Sequence, residues 1–416
     1  MGRRVTDPCR ITVGKGIWNV YAFFLLPLFL LVYLFFDSGF SKLDDPYIRF
    51  LVIGILLDIA VLAVLFITHF VVFKLGSARQ RKQERAHPMK IDIIEKIPLG
   101  GVKQKIHIIG EDDGNPILLF LHGGPGVPDR AGVVRCKDLQ RDFTLVAWDQ
   151  RGTGGSYWGV KKSSLTVDRL VEDARALCEY LCVKLNKEKL FLLCGSWGTQ
   201  LGTILAHKYP ERIAGYVGSG QTVNGVLNEQ LSWEFALREA EKAGNTEDIA
   251  KLGEVGPPVR GQYKNGFKGL MAQRNIMKKY GGYSQKAEQK QSSFFKSFAL
   301  PMLRSGEYTP GDLLGILWGY KRTLTVMWPR LTDYDFTRDC NRFEMPYYIF
   351  QGRHDNNTPS ALVEAFYEAI DAPEKALVWF EDSAHGPMSS ERELYLRLLR
   401  AYLRGETRGR ELRKMG

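Results

Sequence analysis

The chain has 416 residues, 45% of them hydrophobic, and a formal net charge of +11. Its length and apolar content suit one large domain or two, and ordinary contents of glycine (42) and proline (18) exclude a fibrous or low-complexity polymer. Six cysteines have neither the density of a disulfide scaffold nor a zinc-ligand spacing, which fits a reducing compartment and predicts no metal. The positive charge comes without an RNA-binding signature or a basic heptad region and clusters beside apolar stretches, so a membrane surface is expected as its partner and nucleic acid is not.

Residues 17–36, IWNVYAFFLLPLFLLVYLFF, carry no charge and match the roughly 20 residues that cross a bilayer core. A second apolar stretch, 50–73, is interrupted by Asp58 and His69. The length of the first stretch, its lack of a small-residue cleavage site and the presence of the second argue against a cleaved signal peptide. Arg3, Arg4, Arg10 and Lys15 precede the pair, and Lys74, Arg79, Arg81, Lys82, Arg85 and Lys90 follow it. The connecting loop has only Lys42 and Arg49. This distribution predicts a two-helix membrane anchor over 1–89, held in the lipid bilayer with both outer segments, and therefore the remaining chain, facing the cytoplasm. Asp58 is either a functional intramembrane carboxylate or one that faces its partner helix or water.

From residue 90 the pattern changes. MKIDIIEKI and QKIHIIG alternate around Leu99-Gly100-Gly101 and read as a hairpin. ILLFLH (117–122), FTLVAWD (143–149), KLFLLC (189–194), IAGYVGSG (213–220), PYYIFQG (346–352) and ALVWFE (376–381) read as strands. Helical patterns alternate with them, including 166–185 behind a Thr166 cap and an amphipathic helix that closes the chain. The alternation predicts an α/β fold, a mostly parallel sheet with helices on both faces, over 90–220 and 341–416. Residues 221–340 contain no convincing strand but several amphipathic helical segments, and are expected to form a helical cap over the strand ends.

Candidate chemistry follows the strands. Ser196 lies in FLLCGSWGTQLG, a strand running into a Gly-Ser-Trp-Gly turn and then a helix. Such a turn presents a nucleophile when its flanking residues are small. Cys194 stands where glycine is usual, and is small enough for the turn to survive. As the last strand residue it is a poor rival nucleophile. Asp355 follows the strand at 346–352, and His385 follows that at 376–381, giving the order Ser, Asp, His. Asp382 and Glu381 are rivals for the acid but lie too near His385 in sequence, and His354 is the weaker base candidate. HGGPG (122–126) offers backbone N–H groups for an oxyanion, with Gly124 and Trp197 as the expected donors.

HGGPG, DQRGTGGS (149–156), GSWG (195–198) and YPER (209–212) resemble the prolyl aminopeptidase (proline iminopeptidase) branch of the α/β-hydrolase fold over about 90–400. The resemblance implies Ser196 as nucleophile, Asp355 as acid, His385 as base, and Gly124 with Trp197 as oxyanion donors. It also implies that Asp149, Arg151 and Gly152 shape a loop near the site, and that no cofactor is needed. Glu229 lies nearest to where such peptidases hold the substrate's α-ammonium, with Glu234 and Glu239 as further candidates. A membrane-anchored serine hydrolase that removes an N-terminal residue such as proline from short peptides is therefore expected. An esterase or lipase-like hydrolase of acyl esters is the alternative, favoured by the anchor and by Phe294, Phe295, Trp318, Tyr320 and Trp328 in the cap. A non-catalytic membrane scaffold is the third reading.

Overall fold

The computed structural model describes residues 89–284, 302 and 305–405, together with residues 53, 54, 56–61 and 64. The chain divides into two compact units, Met1–Gln80 and Arg81–Gly416. The described residues of the first are helical, with Ile53, Leu56, Leu57, Ile59, Val61 and Val64 exposed. The predicted span at 17–36 and most of that at 50–73 lie outside the described residues. Among those described, no helix is long and apolar enough to cross a membrane.

In the second unit the strands are β1 (Ile91–Leu99), β2 (Val102–Gly110), β3 (Ile117–Leu121), β4 (Thr144–Trp148), β5 (Leu190–Gly195), β6 (Ile213–Ser219), β7 (Tyr347–Gly352) and β8 (Lys375–Phe380). They form one sheet in the order β1-β2-β4-β3-β5-β6-β7-β8. β2 pairs antiparallel with β1 and β4, and every other pairing is parallel. The opening hairpin turns at Gly100 and Gly101, both at positive φ, as a tight two-residue turn requires. The central strands read as unbroken apolar runs because both faces are covered. Leu119, Leu192 and Cys194 enter the core on one side, and Leu118, Leu193 and Val217 that on the other.

The helices that position the site are α1 (Arg130–Arg135), α2 (Val167–Lys184), α3 (Trp197–Lys208), α4 (Gly225–Lys242), α5 (Thr246–Val255), α6 (Phe267–Lys279), α7 (Pro310–Leu331) and α8 (Arg392–Arg404). Thr166 caps α2 by accepting from Arg169 N, and Cys178 and Cys182 are buried on its inner face. Helices α4 to α7 lie in sequence between β6 and β7, and no named strand interrupts them. α7 starts with Pro310 behind a Thr309–Asp312 capping box. That same Asp312 is paired with Lys105 of β2 at 2.6 Å and Arg130 of α1 at 2.7 Å, and Arg130 also pairs with Asp149 at 3.0 Å. A buried row of alternating charges thus fastens the start of α7 to the sheet.

Candidate active site

Ser196 sits between β5 and α3 with φ 53° and ψ −122°, a left-handed backbone for a non-glycine residue. Such strain holds a side chain at the apex of a sharp turn. The turn is locked by Ser196 N donating to Ser219 O (2.9 Å) and Thr199 N donating to Ser196 O (2.7 Å). Gly198 permits the close approach, because a Cβ there would collide with the Leu121 carbonyl at the end of β3. Cys194 lies under the turn, fully buried, and burial pushes its thiol well above the ordinary range. It is packed as an apolar residue and is a poor thiolate source.

Asp355 and His385 come together: His385 Nδ1 lies 2.8 Å from Asp355 Oδ2, with both residues buried. Asp355 Oδ1 accepts from the N–H groups of Asn357 (2.9 Å) and Thr358 (3.0 Å). Its Oδ2 also accepts from Thr358 Oγ1 (2.7 Å) and Gln351 Nε2 (3.1 Å). A carboxyl group held by this many donors is fixed in place, and as an acceptor it sets Nδ1 of the ring as the donor nitrogen. The His385 ring lies on Gly220, where a Cβ would fall 2.9 Å from Cε1, and against the Tyr283 ring at 4.7 Å between centroids. Ser196 and His385 therefore both border the 219–220 turn, but no hydrogen bond among the described residues joins Ser196 Oγ to the ring. Glu381 and Asp382 are exposed, and Glu381 is engaged with Arg353 at 2.7 Å. His354 is exposed as well.

The loop after β3 approaches Ser196 through Gly123, where a Cβ would lie 3.2 Å from Ser196 Cβ and 3.8 Å from Oγ. Gly124 follows with φ 120°. Trp197 begins α3, so its N–H has no acceptor within the helix and points from a positive helix end. Gln150 ties these parts together. Its Oε1 accepts from Trp197 Nε1 (2.9 Å), its Nε2 donates to His122 O (3.2 Å) and its N–H donates to His122 Nε2 (3.3 Å). His122 Nδ1 is then the donor to Gly123 O at 2.8 Å. Burial pushes the His122 pKa down to about 4, so the ring is neutral near pH 7. The rest of DQRG is structural: Arg151 pairs with Asp173 at 2.6 Å and Asp149 with Arg130.

Glu229 is buried on α4. Its Oε1 meets Arg274 Nη2 of α6 at 2.6 Å and accepts from Asn228 Nδ2 at 3.0 Å, while its Oε2 has no hydrogen-bond partner among the described residues. Asn228 Nδ2 also donates to Asn357 O at 3.1 Å, so this carboxylate is joined to the loop beside His385. Glu234 is bonded to Gln230, and Glu239 to Lys242, within α4. Trp318 is exposed, Tyr320 and Trp328 are half-buried, and Phe294 and Phe295 lie outside the described residues. Among the described residues no group of three or more His, Cys, Asp or Glu side chains gathers as a metal site.

Sequence reasoning missed Arg274, Asn228, Tyr283, Asn357 and Thr358. The last two stand in Asp355-Asn356-Asn357-Thr358, where an aspartate followed two and three residues later by N–H donors is a readable side-chain turn. The other three come from α4, α6 and the segment after α6, and no local pattern connects them with His385.

A family model described as alpha/beta hydrolase fold matches residues 116–245. The chain is similar to a probable aminopeptidase, YbaC, of Bacillus subtilis, with 29% identity over 319 residues, covering 76% of this chain and 97% of that protein. It is 24% identical over 319 residues to a proline iminopeptidase of Heyndrickxia coagulans, covering 74% of this chain and 97% of that protein. Among solved structures, VinJ superposes with a TM-score of 0.55 at 18% identity over 76% of this chain and 99% of its own.

Proposed function

From this α/β hydrolase of the serine hydrolase type, with proline iminopeptidase-like relatives, we propose a Ser196–His385–Asp355 catalytic triad that releases an N-terminal residue, proline or similar, from short peptides. Ser196 Oγ attacks the carbonyl as His385 Nε2 takes its proton. Asp355 orients the ring and stabilises the imidazolium. The N–H groups of Gly124 and Trp197 receive the oxyanion. His385 returns the proton to the leaving amine, and water then cleaves the acyl-enzyme by the same route. The observation that carries this reading is a strained serine at a strand–helix turn beside a buried, hydrogen-bonded Asp355–His385 pair.

The peptidase reading rests on Glu229. A buried carboxylate oxygen without a partner is costly, and a substrate α-ammonium would supply the missing donor. One observation favours the second reading, hydrolysis of acyl esters: Arg274 already balances the charge of Glu229, which lowers the attraction for a cation and leaves room for an uncharged substrate. The helical segments α4 to α7 act as the cap. Residues 1–89 carry the membrane anchor, read from the apolar stretches at 17–36 and 50–73, with the catalytic domain on the cytoplasmic side.

The experiment is a substrate panel on the full-length protein in detergent, comparing Pro- and Ala-arylamides with p-nitrophenyl esters. Arylamide turnover that disappears in Ser196→Ala and shows a raised KM in Glu229→Gln supports the peptidase. Turnover of esters alone sinks it in favour of the esterase. For the anchor, protease added outside intact cells should leave the C-terminal domain whole, and its digestion would reverse the orientation.

A further inference from the structure

The nitrogen of His385 that a serine must reach is already occupied. With Nδ1 donating to Asp355, Nε2 offers a single lone pair, and Asn357 Nδ2 donates into it at 3.2 Å. Asn357 is itself held from behind, through its main-chain carbonyl, by Asn228 Nδ2 at 3.1 Å. The same Asn228 amide donates to Glu229 Oε1 at 3.0 Å. The carboxylate on α4 is therefore linked to the imidazole through the Asn228 amide and then through Asn357, which is held by its main chain and meets the ring with its side chain.

We propose that Asn357 is a positioning residue that sets specificity: it competes with Ser196 for the His385 lone pair until a substrate amine at Glu229 displaces the Asn228 amide. The proposal rests on the reading of Ser196 as nucleophile and Glu229 as the amine subsite. An ammonium brings three donors and a full positive charge, so it can engage both the partnerless Oε2 of Glu229 and the Oε1 that Asn228 shares with Arg274, where a charged donor outcompetes the neutral Asn228 amide. Once Asn228 is drawn off Glu229, the hold on the Asn357 carbonyl loosens and Nε2 opens towards Ser196. An uncharged ester makes no such exchange and meets a base whose lone pair is engaged. Discrimination then lies in the competence of the base as well as in binding.

The test uses full-length protein, wild type and the variants Asn357→Ala, Asn228→Ala and Asn357→Asp. Its readouts are an Ala-arylamide, p-nitrophenyl acetate and the rate of fluorophosphonate labelling of Ser196. Asn357→Ala should raise ester kcat/KM and the labelling rate by about three- to tenfold, the scale of one neutral hydrogen bond, and so raise the ratio of ester to arylamide kcat/KM. Asn228→Ala should shift the ester-to-arylamide ratio in the same direction. In Asn357→Asp a carboxylate faces a ring that already faces Asp355 and the Tyr283 ring, with Lys278 against the latter. The imidazolium is then stabilised, and the acid limb of kcat/KM should move to higher pH. A parallel fall in both substrates, or an unchanged ratio with an unmoved pH profile, overturns the proposal. Faster labelling in Asn357→Ala with no arylamide turnover in any variant supports the competition and removes the amine subsite. Absence of any labelling at Ser196 removes both readings.

Discussion

Cys194 Sγ fills the space that a side chain at Gly202 would need. A Cβ on Gly202 would collide with that sulfur and lie 3.0 Å from Cε2 of Tyr216. The thiol that departs from the usual glycine of the turn is therefore matched by a glycine one and a half turns into α3. Alanine in a helix interior ordinarily stabilises by about 1 kcal/mol over glycine. Here overpacking of about 1–3 kcal/mol opposes it. Gly202→Ala should lower stability, by up to about 2 kcal/mol, in denaturant unfolding. Cys194→Gly placed in the same chain should restore it. Independent, additive effects of the two substitutions would show that the sulfur and the glycine are not coupled.

His122 stiffens the HGGPG loop as a neutral ring between Gly123 O and the Gln150 N–H. Its folded pKa of about 4 lies below the ordinary 6.5, so the unfolded chain binds the extra proton first. The destabilising contribution is absent above pH 6.5, grows as pH falls, and is complete below about 4, where it amounts to roughly 3 kcal/mol. His122→Asn should flatten the stability–pH curve between pH 6.5 and 4. The measurement is thermal unfolding of both proteins across that range, and curves that stay parallel would contradict the assignment.

Asp312 tests the charged clasp between α7 and the sheet. Burial works against its ionised form, but Arg130 and Lys105 together hold the carboxyl at about 2, below the ordinary 3.8. The stability it contributes is present above pH 3.8 and is lost as pH falls towards 2. Asp312→Asn leaves Lys105 and Arg130 buried with too little compensation, at a cost of about 3–5 kcal/mol near neutral pH. The variant's acid transition should also lose the segment between pH 3.8 and 2. A change near zero in chemical unfolding at pH 7 would show that the clasp does not hold α7.

How much of this could be read from the sequence differs from part to part. The strands at 117–122, 143–149 and 189–194 were legible because a strand covered on both faces has to be continuously apolar. The hairpin at Gly100-Gly101 and the Thr166 cap were legible because each is fixed by one or two residues of local chemistry. Asp355 and His385 could be paired because both follow strands, and strand ends converge on one edge of a parallel sheet. The partners of Glu229 were hidden: Arg274 is 45 residues away on another helix. The Lys105–Asp312 pair spans 207 residues. Contacts of this kind depend on how helices settle on the sheet, and no periodicity in the chain encodes that. That Cys194 is tolerated in the turn was legible from its size; its fit against Gly202, in the same stretch, was not.

The most direct measurement is to locate, by mass spectrometry, the residue of the full-length protein that a fluorophosphonate probe modifies, while following turnover of the same sample. Ser196 as the nucleophile predicts a single adduct on that residue, turnover lost in step with its formation, no adduct in Ser196→Ala, and labelling slowed by about a thousandfold or more in His385→Gln. Full turnover retained in Ser196→Ala, or an adduct on another residue that tracks the loss of activity, would contradict it.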